Sequence, residues 1–201
     1  SYVIALKDAQ PLNGMYIDEA KHGMSFRSYR EYLLLGGGSH RTGEKGGNWE
    51  EIRNCARLYY PNLDEKDYWA AQDCMTLDGI PYIGRYSRGL PGCYVATGFN
   101  KWGMTSSMAA ASILTDLILE KENPYAQVFN PSRNMITPQL FVNGATAVKN
   151  LLTVSGKRCP HLGCALKWNK TEHSWDCPCH GSRFDGFGKL LDNPATGDLK
   201  K

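Results

Sequence analysis

Two short loops decide how the C-terminal part of this chain folds: Cys159-Pro-His-Leu-Gly-Cys164 and, twelve residues later, Cys177-Pro-Cys-His-Gly-Ser182. Each loop places cysteine and histidine side chains within a few positions of one another. Zinc and iron–sulfur clusters prefer thiolate sulfur, and imidazole suits both zinc and iron. The pattern therefore predicts that the two loops converge on one metal centre.

Three kinds of structure use such loops. A structural zinc site takes the same residue types, although zinc ribbons and knuckles usually use Cys-x-x-Cys pairs. A disulfide framework is typical of secreted chains, and nothing in this sequence indicates secretion. An iron–sulfur cluster with thiolates on one iron and imidazoles on the other accounts for both residue types, and its neutral imidazoles raise the reduction potential. We therefore favour the cluster over zinc and over a disulfide framework.

At these residues the chain resembles the Rieske family of 2Fe–2S proteins, over a stretch from about Cys159 to Leu199. The resemblance implies that each iron is held by one pair of identical side chains, two thiolates on one and two imidazoles on the other. The four implied ligands are Cys159 and Cys177 on the first iron, and His161 and His180 on the second.

The same resemblance implies roles for residues around the cluster. Cys164 and Cys179 form a disulfide between the loops in the high-potential branch of the family, and Pro194 falls in a proline loop that covers the cluster. Ser182 matches a hydroxyl donor to sulfur, whereas Phe184 stands where cytochrome bc-type members carry a tyrosine. Hydrogen bonds to sulfur stabilise the reduced cluster, so the missing tyrosine hydroxyl is expected to lower the midpoint potential. We therefore expect a value in the middle of the Rieske range of about −150 to +300 mV.

The stretch before the first loop is short for a complete Rieske domain. Only 25 residues separate Arg133 from Cys159, so we expect a small, abbreviated antiparallel-β domain. We place the domain boundary near residue 134, with one domain over residues 1–133 and the Rieske domain over residues 134–201. His173 matches no ligand position and is expected at the surface.

Composition excludes several classes of protein. The 201 residues carry a formal charge of +3 and 42% hydrophobic residues, which is ordinary for a globular protein. Basic residues do not alternate with aromatic ones as a nucleic-acid surface requires, and no apolar stretch approaches the roughly 18 to 20 residues of a membrane helix. We therefore expect a cytoplasmic protein that binds no nucleic acid and has no transmembrane segment.

The N-terminal third of the sequence is typical of a sheet followed by a helix. Short strands are predicted at Tyr2–Leu6, Ser25–Tyr29 and Glu31–Leu35, between turn residues. Asn48 and Glu51 form a capping pair for a helix that Pro61 ends. The residues predicted to share the buried face of that helix are Trp49, Ile52, Ala56 and Tyr59. Three isolated cysteines are predicted to be buried thiols: Cys55, Cys74 and Cys93.

Further along, residues 79–84 and 92–98 are predicted to be buried strands, and a helix is predicted from about Thr105 to Lys121. Its apolar face is made of Met108, Ala111, Ile113, Leu114, Leu117 and Ile118. Between strand and helix lies a glycine-flanked loop over residues 98–105. A strand that leads through such a loop into a helix presents backbone N–H groups that can bind an anion. Two interpretations stay open: the loop binds a reduced flavin, or it is a tight turn that binds no ligand.

Residues 69–73, 78–84 and 96–105 resemble the C-terminal half of FAD-dependent oxidoreductases of the D-amino-acid-oxidase or glycine-oxidase type, in particular a bacterial subgroup with a fused C-terminal Rieske domain. The resemblance implies an α+β fold, in which a mixed sheet with helices precedes the Rieske domain. It implies FAD as a cofactor in the full-length protein. The residues implied to contact the flavin are Gly98, Phe99, Lys101, Trp102, Gly103, Met104 and Thr105.

The sequence contains no Gly-x-Gly-x-x-Gly motif for the dinucleotide; Gly36-Gly-Gly38 is followed by His40 and Arg41 instead. In the family that motif opens an N-terminal strand–loop–helix, which we expect before Ser1. His40 is either a group near substrate or flavin or an ordinary loop histidine. No catalytic residue is predicted.

The functional hypothesis is an iron–sulfur oxidoreductase. The intact protein is expected to oxidise a small amine-like or amino-acid-like substrate at FAD and to relay single electrons through the cluster to an acceptor protein or a quinone-like acceptor. The alternative is a non-catalytic Rieske electron-transfer protein whose N-terminal segment serves for docking.

Overall fold

The computed structural model describes residues 1–20, 23–154 and 156–200. The chain forms two compact units, one made of Ser1–Gln72 with Thr146–Lys201 and the other of Asp73–Ala145. The first unit thus combines residues from both predicted domains, so the compact units are not those domains. The boundary near residue 134 stays a prediction about the two family segments.

The described elements are, in chain order, β1 Tyr2–Lys7, β2 Tyr16–Ile17, β3 Ser25–Tyr29, β4 Tyr32–Gly37, α1 Trp49–Tyr59, β5 Asp64–Ala70, β6 Tyr82–Ser87, β7 Leu90–Thr97, α2 Gly103–Ile118, α3 Pro138–Leu152, β8 Lys167–Asn169, β9 Ser174–Asp176, β10 Arg183–Asp185 and β11 Leu190–Asp192. The predicted α+β class is confirmed. No helix in the described ranges is long and apolar enough to cross a bilayer.

A five-stranded sheet in the order β2-β3-β4-β1-β5 forms the first layer of unit 1. Its described pairings are antiparallel throughout, so this sheet is not the mixed one we expected. Along β1, Tyr2, Ile4 and Leu6 alternate onto one face and pack with Leu33 and Leu35 of β4, as the period of two in a strand requires. This face is the core on which α1 lies.

Helix α1 begins as predicted. The side chain of its N-cap Asn48 accepts a hydrogen bond of 3.0 Å from the backbone N–H of Glu51, which satisfies one of the open donors of the first turn. Trp49, Ile52 and Ala56 are buried against the sheet. Tyr59 was predicted on this face but is exposed, because the helix ends there and Tyr60 packs on the core instead.

The second sheet of unit 1 has the order β11-β10-β9-β8 and is antiparallel. Each of its strands has three residues, so the C-terminal sheet is as short as predicted. Arg183 in β10 lies within 3.3 Å of carboxylate oxygens of Glu172, Asp176 and Asp192. Its guanidinium therefore links β9, β11 and the turn between β8 and β9. The sheet itself is too small for a large apolar core.

Unit 2 is built from the β6–β7 hairpin and α2. Ile83, Ala110 and Ile113 are its buried apolar residues. Helix α2 ends before the predicted Lys121, because Glu120 adopts a left-handed conformation with φ 54°. On its predicted apolar face, Ile113 is buried, whereas the three residues Met108, Ala111 and Ile118 are exposed.

The predicted burial of β7, Cys74 and Cys93 is wrong, and that of Cys55 is only partly correct. Strand β7 is mostly exposed, because α2 packs on one side of a sheet of only two strands. Cys93 in β7 and Cys74 in the preceding loop are exposed, and Cys55 is half-buried.

A largely buried arginine, Arg133, holds the loop before β6. Arg133 lies over the Tyr82 ring at 4.3 Å, donates to the carbonyl of Ile80, and pairs with Asp78 at 2.7 Å. Its side chain is 13% exposed and that of Asp78 is 20% exposed. The hydrogen bond from Arg133 lowers the pKa of Asp78 to about 2. The pair therefore contributes its full stabilisation above the ordinary carboxyl pKa and loses it as the pH falls towards 2.

We expect Arg133→Met to lower the free energy of unfolding by about 2 kcal/mol, because it leaves Asp78 and several carbonyls without their donor. Urea unfolding followed by fluorescence measures this change. Arg88→Met, at an exposed position of the same hairpin, is the matched control. Equal midpoints for the two variants would contradict the prediction.

Candidate metal centre

The two Cys-Pro loops have the same backbone structure. In each, the N–H of the first residue donates to the carbonyl of the residue five positions on, and the N–H four positions on donates back to the first carbonyl. The bonds are Cys159 to Cys164 at 2.9 Å, Gly163 to Cys159 at 2.9 Å, Cys177 to Ser182 at 2.8 Å and Gly181 to Cys177 at 3.0 Å.

This shared turn requires the glycine that both loops carry. Gly163 has φ 75° and Gly181 has φ 87°, values in the left-handed region that side-chain-bearing residues rarely adopt. The glycine follows the histidine directly in the second loop and after one intervening residue, Leu162, in the first. The spacing between cysteine and glycine in the sequence is therefore the local cause of the site's geometry.

The first cysteine of each loop is buried and belongs to no disulfide. Cys159 is 2% exposed and Cys177 is 1% exposed. Burial raises the pKa of the Cys177 thiol, neighbouring Cys159 adds to the shift, and the backbone N–H groups of His180 and Cys179 oppose it. Two adjacent buried sulfurs, of which that of Cys177 receives backbone N–H donors, form a site where a bound cation would hold both as thiolates.

The predicted histidine ligands also lie together. The ring centroids of His161 and His180 are 5.0 Å apart and the rings are nearly perpendicular, and both residues are exposed. Burial lowers the pKa of His180, and the charges of His161 and Arg41 lower it further. The surroundings of His180 thus favour its neutral imidazole, the form that binds a metal ion.

Cys164 and Cys179 form a disulfide, as predicted from the family resemblance, with their Cα atoms 6.7 Å apart. It joins the end of the first loop to the middle of the second. The sulfurs of Cys164, Cys177 and Cys179 all lie within 4.8 Å of one another. The disulfide therefore packs directly against a predicted ligand sulfur.

Three residues were predicted around the cluster, and the structure gives each a different environment. Ser182 is fully buried and its Oγ accepts a 2.9 Å hydrogen bond from the N–H of Ala195, which leaves the hydroxyl proton for a sulfur acceptor. Pro194, preceded by a cis peptide bond, lies at the exposed side of this segment. Phe184 is fully buried and packs in one core with Cys159 and Cys177. His173 is exposed, as predicted.

These residues fit a 2Fe–2S cluster. Two buried thiols outside any disulfide and two neighbouring imidazoles lie on loops of the same backbone structure. A Rieske cluster takes two cysteine thiolates on one iron and two histidine imidazoles on the other, and these residues supply that set.

We expect Phe184→Tyr to raise the midpoint potential of the cluster. A buried hydroxyl that favours the reduced state by about 1 kcal/mol raises the potential by roughly 40 mV, since a tenfold change in a one-electron equilibrium is 59 mV. Redox titration followed by circular dichroism measures it. Phe187→Tyr, at a fully exposed residue, is the control; equal potentials in both variants would contradict the prediction.

The residues predicted beside the flavin form a loop and the start of α2. Gly98 has φ 69°, and the predicted contact residues Lys101, Trp102, Gly103, Met104 and Thr105 are exposed, while Phe99 is partly buried. The N-cap residue Trp102 makes no side-chain capping bond. The open backbone N–H groups of the first turn are thus available to an anion, and the flavin contacts stay predictions.

Asn100 was not singled out in the sequence, although it holds this loop in place. It has φ 54°, its Oδ1 accepts 3.0 Å from the N–H of Thr76, and its Nδ2 donates 2.9 Å to the carbonyl of Gly79. An asparagine two positions after the glycine of a strand-to-helix loop is the signal that could have identified it.

Comparison with known families identifies both segments. Residues 1–117 match the model of the FAD dependent oxidoreductases (DAO), and residues 132–201 match the Rieske [2Fe-2S] domain. The chain belongs to the FAD dependent oxidoreductase family and carries a Rieske domain at its C-terminal end. The two families indicate FAD and a 2Fe–2S cluster as cofactors and place the chain in an oxidoreductase family.

Individual relatives agree with this assignment. The chain is 35% identical to YhfW of Bacillus subtilis, named as a Rieske 2Fe-2S iron-sulfur protein, over 100% of this chain and 49% of that protein. It thus spans about half the length of that relative. Over 41 residues, 20% of the chain, it is 49% identical to iron-sulfur subunit 1 of the cytochrome b6-f complex of Nostoc, covering 23% of that subunit.

The fold has a solved counterpart. Glycine oxidase from Geobacillus kaustophilus superposes with a TM-score of 0.54 and 19% sequence identity, over 66% of this chain and 38% of that structure. At this identity the likeness shows the fold alone.

Proposed function

We propose that Cys159, His161, Cys177 and His180 hold a Rieske 2Fe–2S cluster, through which a flavoprotein passes single electrons to an acceptor. The observation that supports this is the convergence of two buried thiols and two exposed imidazoles from loops of the same backbone structure. In the same proposal residues 1–133 form the flavoprotein segment and residues 134–201 the Rieske domain, and the protein is cytoplasmic.

For the whole protein we propose oxidation of a small amine-like or amino-acid-like substrate, with residues 98–105 against the flavin ring. The flavin would supply two-electron chemistry and the cluster one-electron transfer to a protein or a quinone-like acceptor. The open N–H groups at the start of α2 would stabilise negative charge on the flavin ring. No side chain of the described residues is assigned a proton-transfer step in the oxidation of the substrate.

The cysteines, the histidines and Ser182 would have different roles at the cluster site. Cys159 and Cys177 supply the negative charge of the ligand set from a buried position, and the neutral imidazoles keep the total charge low, which favours reduction. Ser182 donates its hydroxyl proton towards sulfur. The exposed rings of His161 and His180 allow protons to reach their outer nitrogens, so that reduction and protonation are coupled.

The test is anaerobic purification of the 201-residue chain, followed by iron and sulfide analysis and by EPR of the reduced protein. We expect two irons and two sulfides per chain and an EPR signal on reduction. Colourless, EPR-silent protein containing zinc would overturn the proposal, because zinc is redox-inactive.

A second measurement separates an enzyme from a carrier. With the protein encoded by the complete gene, anaerobic addition of small amino acids or amines is expected to bleach the flavin and then to reduce the cluster. A cluster that is reducible by dithionite but by no substrate of this class would favour the docking-segment alternative.

A further inference from the structure

The second cluster loop is contacted by a segment far away in the sequence. The glycine loop, defined here as residues 38–47, connects β4 to α1 and lies in the same compact unit as the cluster loops. Nε and Nη2 of Arg41 donate to the carbonyl of Pro178 at 3.3 and 3.2 Å. Pro178 stands between the predicted ligand Cys177 and the disulfide residue Cys179, so the guanidinium lies beside the cluster site.

The backbone of the glycine loop approaches the same peptide. A Cβ atom at Gly43 would lie 2.7 Å from the nitrogen and 2.9 Å from the Cα of Pro178, and Gly43 has φ 71°. Both the space and the backbone conformation therefore require glycine here. The contact is a close-packed one.

Other bonds hold the glycine loop on the cluster module. The amide of Gln72 donates to the carbonyl of Gly181 at 3.0 Å and to the hydroxyl of Thr42 at 2.7 Å. Glu44 pairs with Lys167 at 3.2 Å. His40 makes a stacked contact with the Tyr2 ring. Contacts on both sides of Arg41 thus limit where its charge can move.

A fixed positive charge beside a redox centre has a predictable sign. Reduction adds one negative charge to the cluster, and a neighbouring cation stabilises the reduced form more than the oxidised form. Arg41 is partly buried, so water screens it less than it screens a fully exposed arginine. Its carbonyl bonds also fix the peptide that follows a ligand cysteine, and the supports of a ligand set its geometry.

We propose that the glycine loop forms a wall of the cluster site, in which Arg41 positions the second cluster loop and raises the reduction potential. The inference rests on the cluster assigned under the proposed function. The glycine loop lies within the residues that match the FAD dependent oxidoreductase model. The flavoprotein segment would therefore help to set the driving force for electron transfer from the flavin to the cluster.

The test compares midpoint potentials and iron contents of the 201-residue chain with those of Arg41→Gln, Arg41→Lys and Arg57→Gln. Arg57 lies on the exposed side of α1, paired with Glu50, so its replacement removes the same charge without touching the cluster loops. We expect Arg41→Gln to weaken reduction by a factor of roughly three to ten, a fall of about 30 to 59 mV for one electron. Arg41→Lys is expected to recover most of that fall.

Each result decides the inference. A lowered potential or a lost cluster in Arg41→Gln, with Arg57→Gln unchanged, supports it, provided that Arg41→Lys restores most of the property. Arg41→Gln with the iron content and potential of Arg57→Gln overturns it, and so does a Lys variant as impaired as the Gln variant. Absence of the cluster from the unmodified chain would instead refute the proposed function itself.

Discussion

Cys177→Ala is expected to abolish the cluster, with iron content below about a tenth of that of the unmodified chain and no EPR signal after reduction. Cys177 is almost completely buried, beside Cys159, at the start of the second loop. Its removal would leave one iron with a single protein thiolate, at a position that the surrounding core buries. No neighbouring free thiol can take its place, because Cys179 is bound to Cys164.

Cys93→Ala is the matched control for this prediction. It removes one thiol from the same chain, but from an exposed position of β7. The imidazole ligands are tested in the same way by His180→Ala against His173→Ala, since both histidines are exposed and only the first lies beside His161. If Cys177→Ala or His180→Ala kept full iron content and an unchanged EPR signal, the proposed ligand set would be wrong.

The structure of the cluster loops could be predicted because its causes are local. Each loop places its cysteine, its histidine and its glycine within six residues, and the glycine turn with its two backbone hydrogen bonds brings them together. The helix start at Asn48 is local in the same sense. Such features depend on the backbone conformation of neighbouring residues, which sequence patterns report directly.

Other features depend on contacts between distant residues, which one sequence does not reveal. Arg41 and Pro178 are 137 positions apart, and the glycine-rich stretch around Arg41 predicts only an irregular loop. Cys93 was predicted to be buried but is exposed, for a related reason. Glycine-flanked apolar residues predicted a buried strand, yet burial depends on how many layers cover a sheet, and the two-stranded β6–β7 sheet leaves β7 mostly exposed.

Loss of the disulfide is expected to destabilise the cluster module by about 3 kcal/mol, because Cys164 and Cys179 close a loop of 15 positions. The double variant Cys164→Ala/Cys179→Ala avoids an unpaired thiol near the iron. We expect faster loss of visible absorbance in urea and a lower melting temperature. Cys74→Ala/Cys93→Ala removes two exposed thiols that are in no disulfide and is expected to behave like the unmodified chain.

Thiol alkylation tests the disulfide itself before the variants are made. The chain has seven cysteines, of which five are in no disulfide, so denatured, iron-free protein is expected to be alkylated at five sites without reductant and at seven after reduction. Cys164 is buried, which would protect the bond from the thiol pool of a reducing compartment as long as the module stays folded. Seven reactive thiols in non-reduced protein, together with a double variant that melts like its control, would show that the two loops are held together by the metal centre alone.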